Sequence, residues 1–316
     1  MIALFAADTA ERPTATNGEG DTTSTELPPE LLAQIRRIEI RARRLASTLL
    51  AGDYRSVFRG SGIEFAEARE YVPGDDVRLI DWNVTARMGT LWVKHYVEER
   101  EVNVVSVVDL SASQLAARST SGRLGVAAQV CALLSFAAAS NNDRSGLLTF
   151  SDRVERFVPP ARGTRHVLRL VRDILFHPPP HTSTDLAAAT DYLNRVLRRR
   201  SIVFLLSDFF DAGYEQSLRT LARRHDVVAI SLVDPLDLDF PDAGMIEVED
   251  AESGARMLID SSDAGVRRRF RQQAAERAEQ RRSTLAASGV EEIELRLDED
   301  YVEPLLRYFR RRAARR

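Results

Sequence analysis

The sequence predicts an α/β protein built on a doubly wound, mostly parallel sheet with one antiparallel edge strand, plus a small β-rich N-terminal module. Three observations carry that reading. Residues 102–108, 202–206 and 227–233 are almost wholly aliphatic, the pattern of strands buried on both faces. The first two runs end in small polar and acidic residues, Asp109 with Ser111, and Ser207 with Asp208, which places turns at the sheet's carboxyl edge. Helix-period segments alternate with these runs, as parallel strands joined by right-handed crossovers require.

The 316 residues suffice for about two domains, or for one large α/β domain with additions. Hydrophobic residues make up 44 % of the chain, enough for a sizeable core, and a formal charge of −3 offers no global field to attract nucleic acid. The single cysteine, Cys131, excludes an internal disulfide and fits a reducing compartment. The longest apolar stretch, residues 126–139, is interrupted by Gln129 and Ser135 and is shorter than the roughly 20 residues of a spanning helix. The opening MIALFAAD has no basic leader. These features predict a cytoplasmic chain without a membrane span.

In order, residues 1–27 have few periodic apolar positions and are expected to be a disordered tail. Residues 28–101 form the next unit. It begins with an amphipathic helix opened by Pro28 and Pro29, with Leu31, Ile35, Ile38, Leu45 and Leu49 on one face and arginines over much of the rest. A charged, aromatic-studded stretch follows from Gly60 to Glu101. Its Pro73-Gly74-Asp75-Asp76 turn, the run 77–82 and the alternation over 90–96 predict a β-rich module whose opposite charges and aromatic anchors form a salt-linked platform, either internal or a surface for a partner.

Residues 102–316 form the main domain. After the strand at 102–108, residues 123–139 read as a crossover helix, 146–150 and 154–158 as a hairpin forming the antiparallel edge, and 166–175 as an amphipathic helix stopped by Pro178 to Pro180. A helix starts at Thr184-Asp185-Leu186. Beyond the strand at 227–233 a hairpin insertion is expected over 245–260, then an arginine-rich helix over 267–285, a short strand at 292–295 and a closing helix over 301–312. The terminal arginines, from Arg310 to Arg316, read as a solvated helix end.

Three loops converge on the sheet's carboxyl edge, where open α/β sheets bind ligands. They bring Asp109, Ser111 and Ser113, then Thr184, then Asp208. Carboxylates and hydroxyls are hard oxygen donors suited to Mg²⁺ or Mn²⁺. Asp-x-Ser-x-Ser followed by Thr and Asp resembles the metal-ion-dependent adhesion site of von Willebrand factor type A domains. That resemblance implies that Asp109, Ser111, Ser113, Thr184 and Asp208 are metal ligands, with an open position that accepts a partner's carboxylate. Gln114 stands where the family often has Met, and Ser183 where it often has Gly.

The upstream segment resembles the bacterial family called domain of unknown function 58. Its signature matches Arg59-Gly60, Gly62, Glu64-Phe65, Arg69-Glu70-Tyr71, Gly74-Asp75-Asp76, Arg78, Ile80-Asp81-Trp82 and Ala86-Arg87. This resemblance, over roughly residues 30 to 310, implies an interaction protein working with a MoxR-type AAA ATPase on an unidentified client that supplies an acidic residue. No enzyme activity is expected, and neither a P-loop nor a G-x-S-x-G elbow is present. Two alternatives stay open. One is a metal-dependent phosphotransferase using Asp109, disfavoured because Ser111 stands where that chemistry needs a second acid. The other is a metal-free scaffold, suggested by Gln114 and Ser183.

Overall fold

In the computed structural model, residues 2–5, 29–47, 63–98, 101–115, 122–176, 183–250 and 255–315 are described. The strands are β1 (Ile2–Phe5), β2 (Ile63–Glu70), β3 (Trp92–Glu98), β4 (Asn103–Asp109), β5 (Arg144–Phe150), β6 (Val154–Ala161), β7 (Ser201–Ser207), β8 (Asp226–Val233), β9 (Met245–Asp250), β10 (Arg256–Asp260) and β11 (Glu291–Arg296). The helices are α1 (Pro29–Leu45), α2 (Trp82–Met88), α3 (Ala112–Leu115), α4 (Gly122–Ser140), α5 (Thr164–Phe176), α6 (Leu186–Val196), α7 (Glu215–Arg224), α8 (Ala264–Ala287) and α9 (Val302–Ala314).

The main sheet has six strands in the order β11-β8-β7-β4-β5-β6. All neighbours are parallel except β5 and β6, which pair antiparallel. The fold class read from the sequence is therefore the one observed. Alternate residues of β4 serve two different cores: Val104 and Val108 pack in one, Val105 and Val107 in the other. Burial on both faces explains why the strand reads as a continuous aliphatic run, each fully buried Val or Leu contributing roughly 1.5–3 kcal/mol.

Helix α4 lies under one face and is apolar all round, with Val130, Cys131, Leu133, Leu134 and Ala138 buried. Its 19 residues, Gly122–Ser140, are long and apolar enough to cross a membrane, although most of them are buried inside the domain. The expectation that no stretch reaches that length is corrected: the helix extends past the apolar run to include Gly122, Arg123 and Ser140. Helix α1 covers part of the same core through Ile38, Ala42 and Ala46. Arg41 and Arg43 lie over the rings of Tyr301 and Phe136, at 5.0 and 5.3 Å from the ring centres. Ile35 and Leu45 pack beside that core, while Leu49 falls outside the described residues.

The stretch 63–98 differs in detail from the sequence expectation. Strands β2 and β3 pair antiparallel, but residues 77–82 form no strand. Val77–Leu79 is a 3-10 turn, and Asp81 caps α2 by accepting the N–H groups of Asn83 and Val84 at 3.0 and 3.2 Å. Gly89, with φ +76°, closes the helix in a left-handed conformation. Asp75 takes two bonds from Arg69, at 2.8 and 2.6 Å, and one from the Val72 N–H at 2.9 Å, so this acid serves the turn.

Part of the segment expected to be a tail is ordered: Ile2–Phe5 pair antiparallel with β9, joining the β9–β10 hairpin in a three-stranded sheet. The rest of that segment, the Arg59 to Gly62 part of the signature, and the turn over 252–254 lie outside the described residues. Helix α7, not anticipated from the sequence, is the crossover between β7 and β8, with Leu218 and Leu221 buried. One terminal arginine is not solvated: Arg312 is ion-paired to Asp226.

Candidate functional site

At the carboxyl ends of β4 and β7, four of the five expected ligands form one hydrogen-bonded cluster. Asp109 closes β4 and is 2 % exposed. Its Oδ1 accepts the Ser111 N–H at 2.9 Å, an Asx-type turn that ends the strand, and its Oδ2 accepts the Ser207 hydroxyl at 2.7 Å. The Ser111 and Ser113 hydroxyls lie 2.9 Å apart. Ser113 donates to Asp208 Oδ2 at 3.0 Å, and the Gln114 amide donates to the same oxygen at 2.9 Å.

The turn after β7 sets the direction of Asp208. Phe209 has φ +57°, a conformation costing roughly 1–2 kcal/mol for a residue with a side chain. It is held by two side-chain bonds: the Phe209 N–H donates to Ser207 Oγ at 3.1 Å, and the Phe210 N–H to Asp208 Oδ1 at 3.2 Å. Thr184 stands at the same edge, half-buried, on the loop before α6. That loop is tied down by the Asp185 N–H donating to the Ser151 carbonyl at 2.8 Å and the Leu186 N–H donating to Asp211 at 2.7 Å.

Two residues complete the surroundings that the sequence did not single out as functional. Ser207 orients Asp109, as described. Arg123, 1 % exposed in the first turn of α4, donates to the Ser113 carbonyl at 2.7 Å, pairs with Asp237, and brings a guanidinium nitrogen to 3.8 Å from Asp208 Oδ2. A lone arginine at the head of an otherwise apolar helix was the signal that could have revealed it.

Burial, and then the charge of Asp208, push the Asp109 carboxyl up to about 7 from its ordinary 3.8. The bonds from Ser207 and Ser111 act in the opposite direction and do not cancel these effects. Two buried carboxylates of like sign, ringed by hydroxyls, lower their mutual cost by gaining a cation. Among the described residues no group of three or more His, Cys, Asp or Glu side chains is placed to hold a metal. An ion here would therefore rely on two carboxylates and neighbouring hydroxyls, a hard all-oxygen set that fits Mg²⁺ or Mn²⁺ better than zinc. Gln114 and Arg123 already direct N–H groups toward Asp208 and offer part of the same compensation.

The family described as "Protein of unknown function DUF58" matches residues 67–280. The chain belongs to that family. An uncharacterized protein of Mycobacterium bovis is 35 % identical over 292 residues, covering 90 % of this chain and 92 % of the relative. Among solved structures, an aerotolerance-related membrane protein from Bacteroides fragilis is similar over 68 % of this chain and 100 % of its own, with 15 % identity and a TM-score of 0.45. The SpRpn10 VWA domain is similar over 66 % of this chain and 94 % of its own, with 12 % identity and a TM-score of 0.35.

The cytoplasmic placement expected from the sequence is not borne out by the similar structures. The Bacteroides fragilis structure is titled a membrane protein; α4, although long and apolar enough to cross a membrane, is mostly buried in the core and gives no clear span. An apolar run interrupted by Gln129 and Ser135 does not exclude a membrane location.

Proposed function

We propose that this chain is a non-enzymatic protein-interaction module. It holds Mg²⁺ or Mn²⁺ on Asp109, Ser111, Ser113, Thr184 and Asp208, and docks an acidic side chain of a client protein there. The observation that supports this reading is the buried, like-charged pair Asp109 and Asp208 set among hydroxyls at the sheet's carboxyl edge. When bound, a divalent ion would supply the electrophilic centre that a foreign carboxylate seeks. The chain's own part is to hold the donors still: Ser207 fixes Asp109, the Phe210 N–H and Gln114 fix Asp208, and Arg123 fixes the backbone at Ser113.

Turnover is not part of the proposal. Of the histidines with described side chains, His166 bonds the Ser145 carbonyl at 2.8 Å and His225 lies by Ser201, so neither stands as a general base beside Asp109. Ser111 occupies the place where a phosphotransferase would need its second acid. By family resemblance, the partner that would use the docked client is a MoxR-type AAA ATPase. A second reading, a scaffold without metal, is favoured by one observation, the placement of Arg123 and Gln114 beside Asp208.

Thermal melting with Mg²⁺ or with EDTA separates the two. The ion reading expects Mg²⁺ to raise Tm, because a ligand bound only to the folded state stabilises it, and expects Asp109→Ala to abolish the rise. Identical melting of the wild-type chain in Mg²⁺ and EDTA would leave the scaffold reading.

A further inference from the structure

A groove of about 370 Å³ opens beside the cluster, with Asp208 itself in its wall. It runs between the end of β8 and one face of α8. Ala274, Ala275 and Ala278 of the helix and Leu238 opposite line its apolar part, and Phe210, 41 % exposed, stands at the end nearest Asp208. The small side chains of α8 make room where larger ones would fill the space. This volume lies near the low end of ligand clefts, roughly 300–1,000 Å³, and suits side chains of a docked polypeptide.

The rim is cationic. Arg271, Arg277 and Arg282 line the groove and are exposed. The carboxylates among its lining are already engaged: Asp237 by Arg123, Glu294 by Arg281, and Asp208 by Ser113 and Gln114. Arg277 instead lies over the rings of Phe210 and Phe270, at 5.5 and 5.8 Å from their centres, and among the described residues no carboxylate pairs with it. Arg271 pairs with the half-buried Asp239 at 3.2 Å, and Arg282 with Glu279 at 3.4 Å and Glu294 at 3.6 Å; both guanidinium groups are about half exposed, so these are surface pairs that a competing carboxylate can exchange at little cost.

The geometry points to this groove as the docking site for an acidic segment of a partner protein in which an apolar or aromatic residue neighbours the carboxylates. One acid of that segment meets the site at Asp208, the apolar side chain enters the groove against Phe210 and the alanines, and further acids meet Arg277 and Arg282. The inference deepens the ion-site reading and rests on it for the first contact only. Phe210 ties the two together, since its N–H is bonded to Asp208 Oδ1 and its ring faces the groove's arginine.

The test is selection of random peptides displayed on phage against the immobilised full chain in Mg²⁺, with the Mg²⁺-dependent melting shift recorded on the same wild-type preparation. Enriched peptides are expected to carry acids flanking an apolar or aromatic residue. Synthetic copies are expected to lose about tenfold or more in affinity for Arg277→Glu and for Phe210→Ala, with Arg277→Gln intermediate. Enrichment of sequences without acids, or equal affinity for wild type and these variants, overturns the groove. If the Mg²⁺ shift is present in that case, the ion site stands without it. Acidic peptides that bind through Arg277 in a chain showing no Mg²⁺ shift would support the groove and remove the ion. Absence of both removes both.

Discussion

At the amino edge of the main sheet Asp226 meets Arg312 of α9, which also bonds the Tyr308 hydroxyl and lies 3.5 Å from Glu291, while Arg315 adds a 3.0 Å pair to the same glutamate. At the carboxyl edge Asp109 and Asp208 carry the same sign, and the nearby cation, Arg123, is shared with Asp237. Both edges bury charge, with opposite outcomes. Where opposite charges meet directly, the contact closes α9 onto the sheet and its electrostatics are complete. Where like charges are held together by hydroxyls and one shared arginine, folding leaves a deficit of positive charge that a cation can fill. The first arrangement suits stability; the second costs stability and suits binding.

The largest way to break this contrast is at Arg123. Arg123→Ala leaves Asp237 and Asp208 buried without their cation and is expected to destabilise the chain by about 3–5 kcal/mol in urea unfolding. Added Mg²⁺ is expected to restore part of that loss. A loss below about 1 kcal/mol would show that the guanidinium matters little to the edge.

Next in size is the pH dependence of the metal-free chain. The Asp109 carboxyl is raised to about 7 from 3.8, so its protonated form is favoured by folding. The stability it contributes is full below about pH 4 and is lost as pH rises through 7, a change on the order of 2–4 kcal/mol. His225 acts in the other direction. Burial, then Arg224 and Arg200, lower it to about 4 from 6.5, so its contribution is present above pH 6.5 and lost as pH falls toward 4. Subtracting the stability profile of Asp109→Asn isolates the first effect. The difference is expected to fall between pH 4 and pH 7 in EDTA and to flatten in Mg²⁺; a flat difference in EDTA would contradict the assignment.

At the opposite edge Arg312→Ala is expected to cost about 2–3 kcal/mol, since Asp226 and Glu291 lose a partly buried partner, while the response to Mg²⁺ is unchanged. Any loss of that response would mean the two edges are coupled. The smallest effect is expected at Arg41, whose pair with Asp300 at 3.2 Å is half exposed. Arg41→Ala is expected to cost less than about 1 kcal/mol by chemical denaturation, even with its contact to the Tyr301 ring.

Much of the main domain was legible because burial on both faces leaves a plain mark. The aliphatic runs at 102–108, 202–206 and 227–233 became β4, β7 and β8, and the hairpin over 146–158 became the antiparallel edge. Stretches whose apolar residues are sparse were harder. Helix α7 went unseen because its arginines and polar residues leave only Leu218 and Leu221 buried. Residues 77–82 mixed apolar and charged side chains without a clear period, and the cap at Asp81 decided for a helix from Trp82 onward. Strand β1 could not be foreseen, because its partner β9 lies more than two hundred residues away.

The candidate cluster followed from Asp-x-Ser-x-Ser and from the polar ends of two strands, which local chemistry makes visible. What surrounds it did not, since Arg123 reaches it from the first turn of α4 and Asp237 from the segment after β8, more than a hundred residues along the chain.

The most direct test of the account is calorimetric titration of Mg²⁺ into the metal-stripped chain near pH 7, repeated in buffers of different ionisation enthalpy. The result expected is a single site per chain whose binding releases protons, because the ion requires the Asp109 carboxylate in its charged form, with both signals absent in Asp109→Ala. No heat of binding in the wild-type chain, or the same heat in wild type and Asp109→Ala, would contradict it.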